Sequence, residues 1–503
     1  MRWTGDGQEM DLRDLASQNP WWGEPVLIKS DPQIKGLQGS RLRWVPKELG
    51  EFDVTKDRVY TLRGPRQVGK TTLLKLLAQK MIVDEERDPR SVFYFNCDSL
   101  GKGDDLAQVV KTYGEFAGRS ELSRCVLLID EISSVAGWER SMKHLADSGA
   151  LIGKTVVLTG SHSLDIRRAA ELLPGRRGEG DGIVNKLLLP MTFSEYVAAV
   201  APKLRDRLSP VYHTTPSLRM RTLSELCRGR IDPKLRDALM LCERDLTPLL
   251  DDYLFTGGIA RAMSERFSLG SIPQSTYELY VRALMGDLMK WRFQENIAKQ
   301  VLRAVVDKMT TRITLNSIVK DTEIQSHNTV SSYLEALEGS FVLNVFYQMS
   351  GDDSLPLYRR SKKVYFKDPF LYHAVRGWLD GSQRYHERTV DALRDPVERS
   401  KLVEMAVGEH LVRLSYEADP SDIFSHHERV MFFRSEKKDR ETDFVLRRGD
   451  ELYPVEVKYR SSVDRSDLSS LFQFGHGVLV SKGDFGEYRE YSTVPASTFL
   501  MLV

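Results

Sequence analysis

The stretch Gly64-Pro65-Arg66-Gln67-Val68-Gly69-Lys70-Thr71-Thr72 constrains this chain more than any other. It follows an apolar run, Val59-Tyr60-Thr61-Leu62, and precedes Leu73-Leu74-Lys75-Leu76-Leu77-Ala78, so it reads as strand, glycine loop and helix. That is the context in which the pattern G-x-x-x-x-G-K-[ST] binds phosphate. Gly64 and Gly69 let the backbone curl its N–H groups around phosphate oxygens, and the helix N-terminus adds the positive end of its dipole. On this reading the whole stretch from Gly64 to Thr72 cradles ATP, Lys70 reaches the β and γ phosphates, and the Thr71 hydroxyl holds Mg2+.

A chain of 503 residues exceeds what one hydrophobic core sustains, so several domains are expected. Lysine and arginine total 72 against 71 for aspartate and glutamate, which leaves no global field to draw in nucleic acid or a membrane; any basic surface is local. Cys97, Cys125, Cys227 and Cys242 are scattered without a C-x-x-C pair, and no histidine stands at metal spacing, which argues against a zinc module or a disulfide framework and for a reducing compartment. The start, Met1-Arg2-Trp3-Thr4-Gly5-Asp6, is unlike a signal peptide, and no run approaches the roughly 18 apolar residues of a membrane span. A cytoplasmic protein is expected.

Residues 1–56 carry a short helix from Met10 to Ser17 and the pair Trp21-Trp22. The two indoles can stack on adenine or cover an edge of the core, and the second reading is favoured because aromatics bury large area wherever they sit. From Arg58 strands and helices alternate, the signature of a parallel α/β sheet. Cys125-Val126-Leu127-Leu128-Ile129 is an apolar strand that delivers Asp130 and Glu131 at its C-terminal end, where open α/β sheets bind ligands. Asp130 is placed to hold Mg2+ through water, and Glu131 to polarise the water attacking the γ-phosphate. The next strand, Thr155 to Leu158, runs into Thr159-Gly160-Ser161, whose hydroxyls can bond the γ-phosphate or the lytic water or, for Ser161, cap a helix. A glycine-rich loop then carries Arg176 and Arg177: either an arginine finger aimed at a neighbouring subunit's nucleotide or a solvated basic loop.

These motifs, with Leu189-Pro190-Met191-Thr192-Phe193-Ser194-Glu195-Tyr196 and Gly257-Gly258-Ile259-Ala260, resemble the archaeal and bacterial AAA+ ATPases that carry a C-terminal domain of unknown function, DUF4143. The family normally has a proline where Ala260 stands, and Arg261 is either a nucleotide sensor or a helix-surface arginine. The resemblance implies an AAA+ core over 57–200 and a helical lid over 201–295, locally basic through Lys203, Arg205, Arg207, Arg219, Arg221, Arg228 and Arg230. An arginine finger implies a homo-oligomer, most naturally a hexameric ring.

Residues 296–365 read as a winged helix. Ile313 to Val319 is the first helix of a helix-turn-helix, His327 to Leu337 a recognition-type helix, and Phe341 to Tyr347 a wing strand with Arg359-Arg360-Ser361-Lys362-Lys363 at its return. His327, Asn328 and Thr329 would contact DNA, and the basic cluster its phosphates. After a connector over 366–400, residues 401–503 hold a second constellation. A helix from about Val397 to Tyr416 carries Glu404 and Glu409; Asp443 stands alone among apolar residues of one strand; Glu456 and Lys458 share a face of the next by the period of two. Asp443 and Glu456 would hold Mg2+, Lys458 would orient or activate the attacking water, and Glu409 would complete the metal shell. This D…E-x-K arrangement, followed by a helix from Arg465 to Phe474 and a strand from Gly477, looks like the PD-(D/E)XK nuclease superfamily.

The expected architecture is therefore α/β and multidomain: a P-loop AAA+ core, a lid, a winged helix and a C-terminal restriction-endonuclease-like α/β domain. The expected function is ATP-driven DNA processing with a Mg2+-dependent nuclease. Two alternatives stand beside it: a DNA motor such as a branch-migrating enzyme, and a nucleotide-controlled switch whose nuclease fold is inactive.

Overall fold

The structure is a computed structural model that describes residues 11–100, 103–160, 182–209, 215–422, 424–435 and 440–503. Residues 1–189 and 190–503 form two compact units.

In the first unit five strands form one parallel sheet: β1 (Arg58–Arg63), β2 (Val92–Asn96), β3 (Cys125–Asp130), β4 (Lys154–Thr159) and β5 (Asn185–Leu187), in the order β2-β3-β4-β1-β5. The inner strand β3 is a continuous apolar run because both its faces are covered, whereas the edge strand β5 is short and partly polar. On β3 the alternation is direct: Leu127 and Ile129 join one core cluster, Val126 and Leu128 the other. β2 would be an open edge, and the N-terminal segment closes it. The Asn19 amide donates to Tyr94 O at 2.9 Å and accepts from Tyr94 N–H at 2.7 Å, as a neighbouring strand would, and Gln18 accepts from Asn96 N–H at 2.8 Å. Trp21 is fully buried, both indole N–H groups donate to Val92 O at 3.0 Å, and Trp22 stacks on Phe116. The pair thus covers the sheet edge rather than offering a ring to adenine.

The second unit begins with helices. Thr192 caps Phe193–Val200 in a reciprocal box with Glu195, and Phe193 N–H donates to His410 Nε2 at 2.9 Å while the Tyr253 hydroxyl donates to Met191 O at 3.1 Å. The helix Pro233–Thr256 ends at Gly257, whose φ of +58° belongs to the left-handed region. A Cβ there would lie 2.0 Å from Asp368 Oδ1, and one on Gly258 2.1 Å from Met191 O. The glycine pair is a close-packing point. Arg261 pairs with Glu265 one turn along its own helix at 3.0 Å.

Helices Glu295–Lys308, Leu315–Lys320 and His327–Gly339 precede an antiparallel hairpin of β6 (Leu343–Tyr347) and β7 (Lys362–Phe366). The C-terminal sheet has the order β12-β13-β11-β10-β9-β8, built from β8 (Val430–Ser435), β9 (Arg440–Arg448), β10 (Glu451–Lys458), β11 (Gly477–Ser481), β12 (Gly486–Tyr488) and β13 (Tyr491–Pro495). β8, β9 and β10 run antiparallel, then β11 and β13 run parallel to β10. The long helix Pro396–Ala418 packs on this sheet, and a Cβ on Gly408 would sit 2.7 Å from the Phe444 ring. Arg465–Gln473, expected as an α-helix, is a 3₁₀ run entered through Asp464, which caps Ser466 N–H.

Candidate functional site

The nucleotide loop lies between β1 and the helix Lys70–Gln79. Gly69, at the helix N-cap, has φ of +104° and Gln67 +61°, the left-handed turns that aim successive N–H groups into one concavity. Gly64 admits no side chain, since a Cβ would meet Leu188 O at 2.0 Å. Lys70 is 5% exposed and its ammonium donates to the carbonyls of Gly64 and Pro65, each at 2.9 Å. Val68 packs into the core beneath the loop, Arg66 is half-buried and Gln67 exposed, and Thr72 meets Gln33 Oε1 at 3.2 Å.

The sheet order separates β1 from β3 by β4, so the tip of β4 stands between the loop and the acidic pair. Asp130 is fully buried and collects three hydroxyls: Thr71 at 2.6 Å and Tyr94 at 3.0 Å on Oδ2, and Thr159 on Oδ1. Glu131 follows with φ of +51°, which turns its half-buried carboxylate out of the strand direction, while its N–H meets Thr159 Oγ1 at 3.3 Å. Burial, and then the Asp130 charge, push the Tyr94 phenol up, so it stays a donor. Tyr94 went unnoticed in the sequence; it is an aromatic in an apolar strand, with no signal to part it from core. Ser161 and Arg176 lie outside the described residues. The residues present fit Mg·ATP: a glycine cradle at a helix N-terminus, one ammonium, and a hydroxyl–carboxylate pair already in contact. Thr71 and Asp130 would hold the cation, whose chemistry there is neutralisation of phosphate charge.

A second cluster lies within the C-terminal unit. The β9–β10 register places Val455 opposite Phe444, so the neighbouring pair Asp443 and Glu456 also face each other, and Asp443 N–H donates to Glu456 Oε2 at 3.2 Å. Lys458 Nζ lies 2.5 Å from Glu456 Oε1. Asp443, Glu456 and Lys458 are thus together. Glu409 is not among them. It pairs with Arg413 at 3.0 Å and accepts from Asn344 at 2.6 Å. The helix instead sends Glu404, bonded by the Tyr365 hydroxyl at 2.5 Å. Five residues along a helix turn the side chain by roughly 140°, so the two glutamates cannot serve one point.

The sequence reading also missed Lys363. Offered there as a phosphate contact, it is 1% exposed, with its ammonium 2.7 Å from Asp443 Oδ1, 2.9 Å from Glu441 Oε1 and 3.4 Å from Glu404 Oε1. Lys362 is buried too and donates to Tyr358 O at 3.0 Å. The acidic centre is thus paired internally by lysines from β7 and β10. Burial opposes the charge on Asp443, yet Lys363 and Lys458 hold its carboxyl below the usual range. Burial, reinforced by Asp443, pushes Glu456 up to about 8 and Glu404 to about 7. Among the described residues Glu409, Asp443 and Glu456 form no three-ligand metal group.

The basic residues of 201–295 are largely matched by acids: Arg219 with Glu417 at 2.6 Å, Arg221 with Glu225 at 3.0 Å, Arg228 with Glu451 at 3.2 Å, and Arg207 with Asp245. His327 and Asn328 are exposed at their helix start. No helix among the described residues is long and apolar enough to cross a membrane.

Residues 56–197 match the AAA domain family, residues 399–499 the domain of unknown function DUF4143, and residues 247–382 a further domain of unknown function, DUF8612. No curated protein matches the chain. Similar solved structures include the Walker-type ATPase PABY2304 of Pyrococcus abyssi, with 17% identity over 63% of this chain and 91% of that one and a TM-score of 0.33. The Aeropyrum pernix ORC1 protein in complex with DNA has 15% identity over 72% and 96%, with a TM-score of 0.29. Thermotoga maritima RuvB has 14% identity over 67% and 89%, with a TM-score of 0.22.

Proposed function

From a chain that joins an AAA domain to a C-terminal DUF4143 domain, we propose an ATP-hydrolysing switch, in which nucleotide state governs what the second unit binds. The observation that carries the ATPase half is Asp130 gathering Thr71, Thr159 and Tyr94 at the mouth of the phosphate loop. Lys70 exchanges its two carbonyl partners for β- and γ-phosphate oxygens. Glu131 takes the proton of the water that attacks the γ-phosphorus, and Thr159 fixes the acidic pair relative to that water. ADP and inorganic phosphate leave.

For the second unit, the pairing of Lys363 with Asp443, Glu441 and Glu404 supports a recognition module over a Mg2+ nuclease. A cation would have to displace a buried ammonium and draw protons from Glu404 and Glu456. The cutting reading is favoured by one observation, Asp443, Glu456 and Lys458 on a single face. DNA is the partner class that both readings share, and assembly into a homo-oligomeric ring, with Arg176 serving a neighbour's site, belongs to the same proposal.

The deciding experiment incubates the full chain with linear, supercoiled and branched DNA, with and without ATP, in Mg2+ and in EDTA. The switch predicts ATP hydrolysis that Lys70→Ala abolishes, with no cut product. Mg2+-dependent cutting that Lys458→Ala removes would replace the switch by the nuclease.

A further inference from the structure

The helix His327–Gly339 ends beside the short 3₁₀ turn His426–Glu428, and there Glu338, His426 and His427 converge. Glu338 Oε2 lies 3.0 Å from His427 Nε2, and Glu338 Oε1 lies 3.2 Å from His426 Nε2. One donor atom from each residue falls within 4.8 Å of the others. The two imidazoles stand 4.4 Å apart at 63°, Phe346 and Tyr347 set their edges against them at 5.9 and 4.9 Å, and Val345 N–H fixes Glu338 Oε1 at 2.9 Å. The donors are therefore held from behind by packing and a backbone bond.

A hydrogen-bonded histidine–glutamate pair accounts for His427 alone. His426 is 9% exposed, and its Nε2 is sealed from solvent, with a Glu338 carboxylate oxygen 3.2 Å away but poorly aligned for a hydrogen bond. A buried nitrogen so placed is satisfied only in part by the carboxylate, and a polar atom in that state needs a reason. Two imidazoles and one carboxylate form the three-residue donor set of zinc sites that keep a fourth position for water. Tetrahedral donors at about 2.0–2.1 Å from zinc stand roughly 3.3 Å apart, close to the 3.1 and 3.2 Å that separate Glu338 Oε1 from His427 Nε2 and His426 Nε2. His427, with its side chain 22% exposed, leaves a solvent side for the fourth ligand.

We infer that Glu338, His426 and His427 form a binding site for a divalent transition cation of the zinc class, which ties the end of the helix His327–Gly339 to the entry of β8. This site is separate from both centres described above and does not depend on the proposed function.

The test uses the untagged full chain, stripped with a chelator and titrated with Co2+ under visible absorption, then with Zn2+ as competitor. The inference predicts one Co2+ per chain with a tetrahedral d–d band, displaced by Zn2+. Glu338→Gln, which keeps the shape and an oxygen for Val345, and His427→Gln should each weaken binding by more than the about 10–100-fold that an outer-shell change costs. Circular dichroism in chelator checks that each variant is folded. Wild-type protein that gives no stoichiometric band, or a band that persists unchanged in folded Glu338→Gln and His427→Gln, would overturn the site.

Discussion

Lys363 is the residue on which the reading of the second unit turns, and its surroundings give a measurable stake. Its ammonium is buried among Asp443, Glu441 and Glu404; Arg312 also pairs with Glu441 at 2.9 Å and Lys458 still acts on Asp443, so Lys363→Met removes the ammonium that bridges Asp443 and Glu404 inside a buried cluster. Breaking such a pair from one side costs about 3–5 kcal/mol, whereas removing both partners is far milder. Denaturant unfolding should therefore report a loss of that order for Lys363→Met and partial recovery in Lys363→Met with Asp443→Asn; an unchanged midpoint in the single variant would remove the charge-pairing account. The sequence led to Asp443, Glu456 and Lys458 because strand periodicity puts alternate residues on one face. It could not weigh Glu404 against Glu409, since both sit on a helix buried nearly all round, where no polar face marks the functional side. Lys363 in a basic run reads as surface until a partner sheet covers it. Glu338 lies far in sequence from His426 and His427, so no spacing announces them as a set.

At the scale of elements, β2 is held as an edge strand by side chains, with Asn19 at its centre. Asn19 satisfies both Tyr94 N–H and Tyr94 O, in the strand that also presents the Tyr94 hydroxyl to Asp130. Asn19→Ala leaves a buried donor and a buried acceptor unmet, at about 1–3 kcal/mol for each group. Thermal unfolding should fall accordingly, and hydrogen exchange at Tyr94 N–H should quicken, while exchange in β4, the central strand two positions in from that edge, stays slow; equal exchange at Tyr94 in variant and wild type would contradict this role. The strands β1, β3 and β4 were legible because their apolar runs are bounded by turn residues and each is followed by helix or loop. The edge pairing was not, because a side chain standing in for a strand carries no periodicity. The 3₁₀ run Arg465–Gln473 likewise shares the helix pattern of apolar spacing over so short a length.

At the scale of the whole molecule, the second unit carries histidines built to stay neutral. His410 is fully buried; its Nδ1 faces Ala406 O at 2.7 Å and its Nε2 accepts from Phe193 N–H at 2.9 Å, so the proton belongs on Nδ1. Burial, and then Arg413, lower it from 6.5 to about 3, and burial lowers His373 to about 4. The unfolded chain takes up these protons first as pH falls below 6.5. Stability from both groups is thus complete above pH 6.5 and is lost as pH falls toward the folded values, with a slope of about 1.4 kcal/mol per pH unit for each. Urea unfolding followed across that range should show the decline, and His410→Gln should flatten it; a slope unchanged in that variant would assign the acid sensitivity elsewhere.

The central claim is that Glu131, delivered by β3 beside Asp130 and Thr159, performs hydrolysis at a loop that Lys70 and Thr71 make competent to bind ATP. Phosphate release from Mg·ATP, measured with nucleotide affinity on the same samples of wild type and Glu131→Gln, tests it most directly. The account predicts turnover in the wild type and, in Glu131→Gln, unchanged affinity with turnover reduced by about 100-fold or more. Turnover in Glu131→Gln equal to wild type, or no ATP binding by either protein, would contradict it.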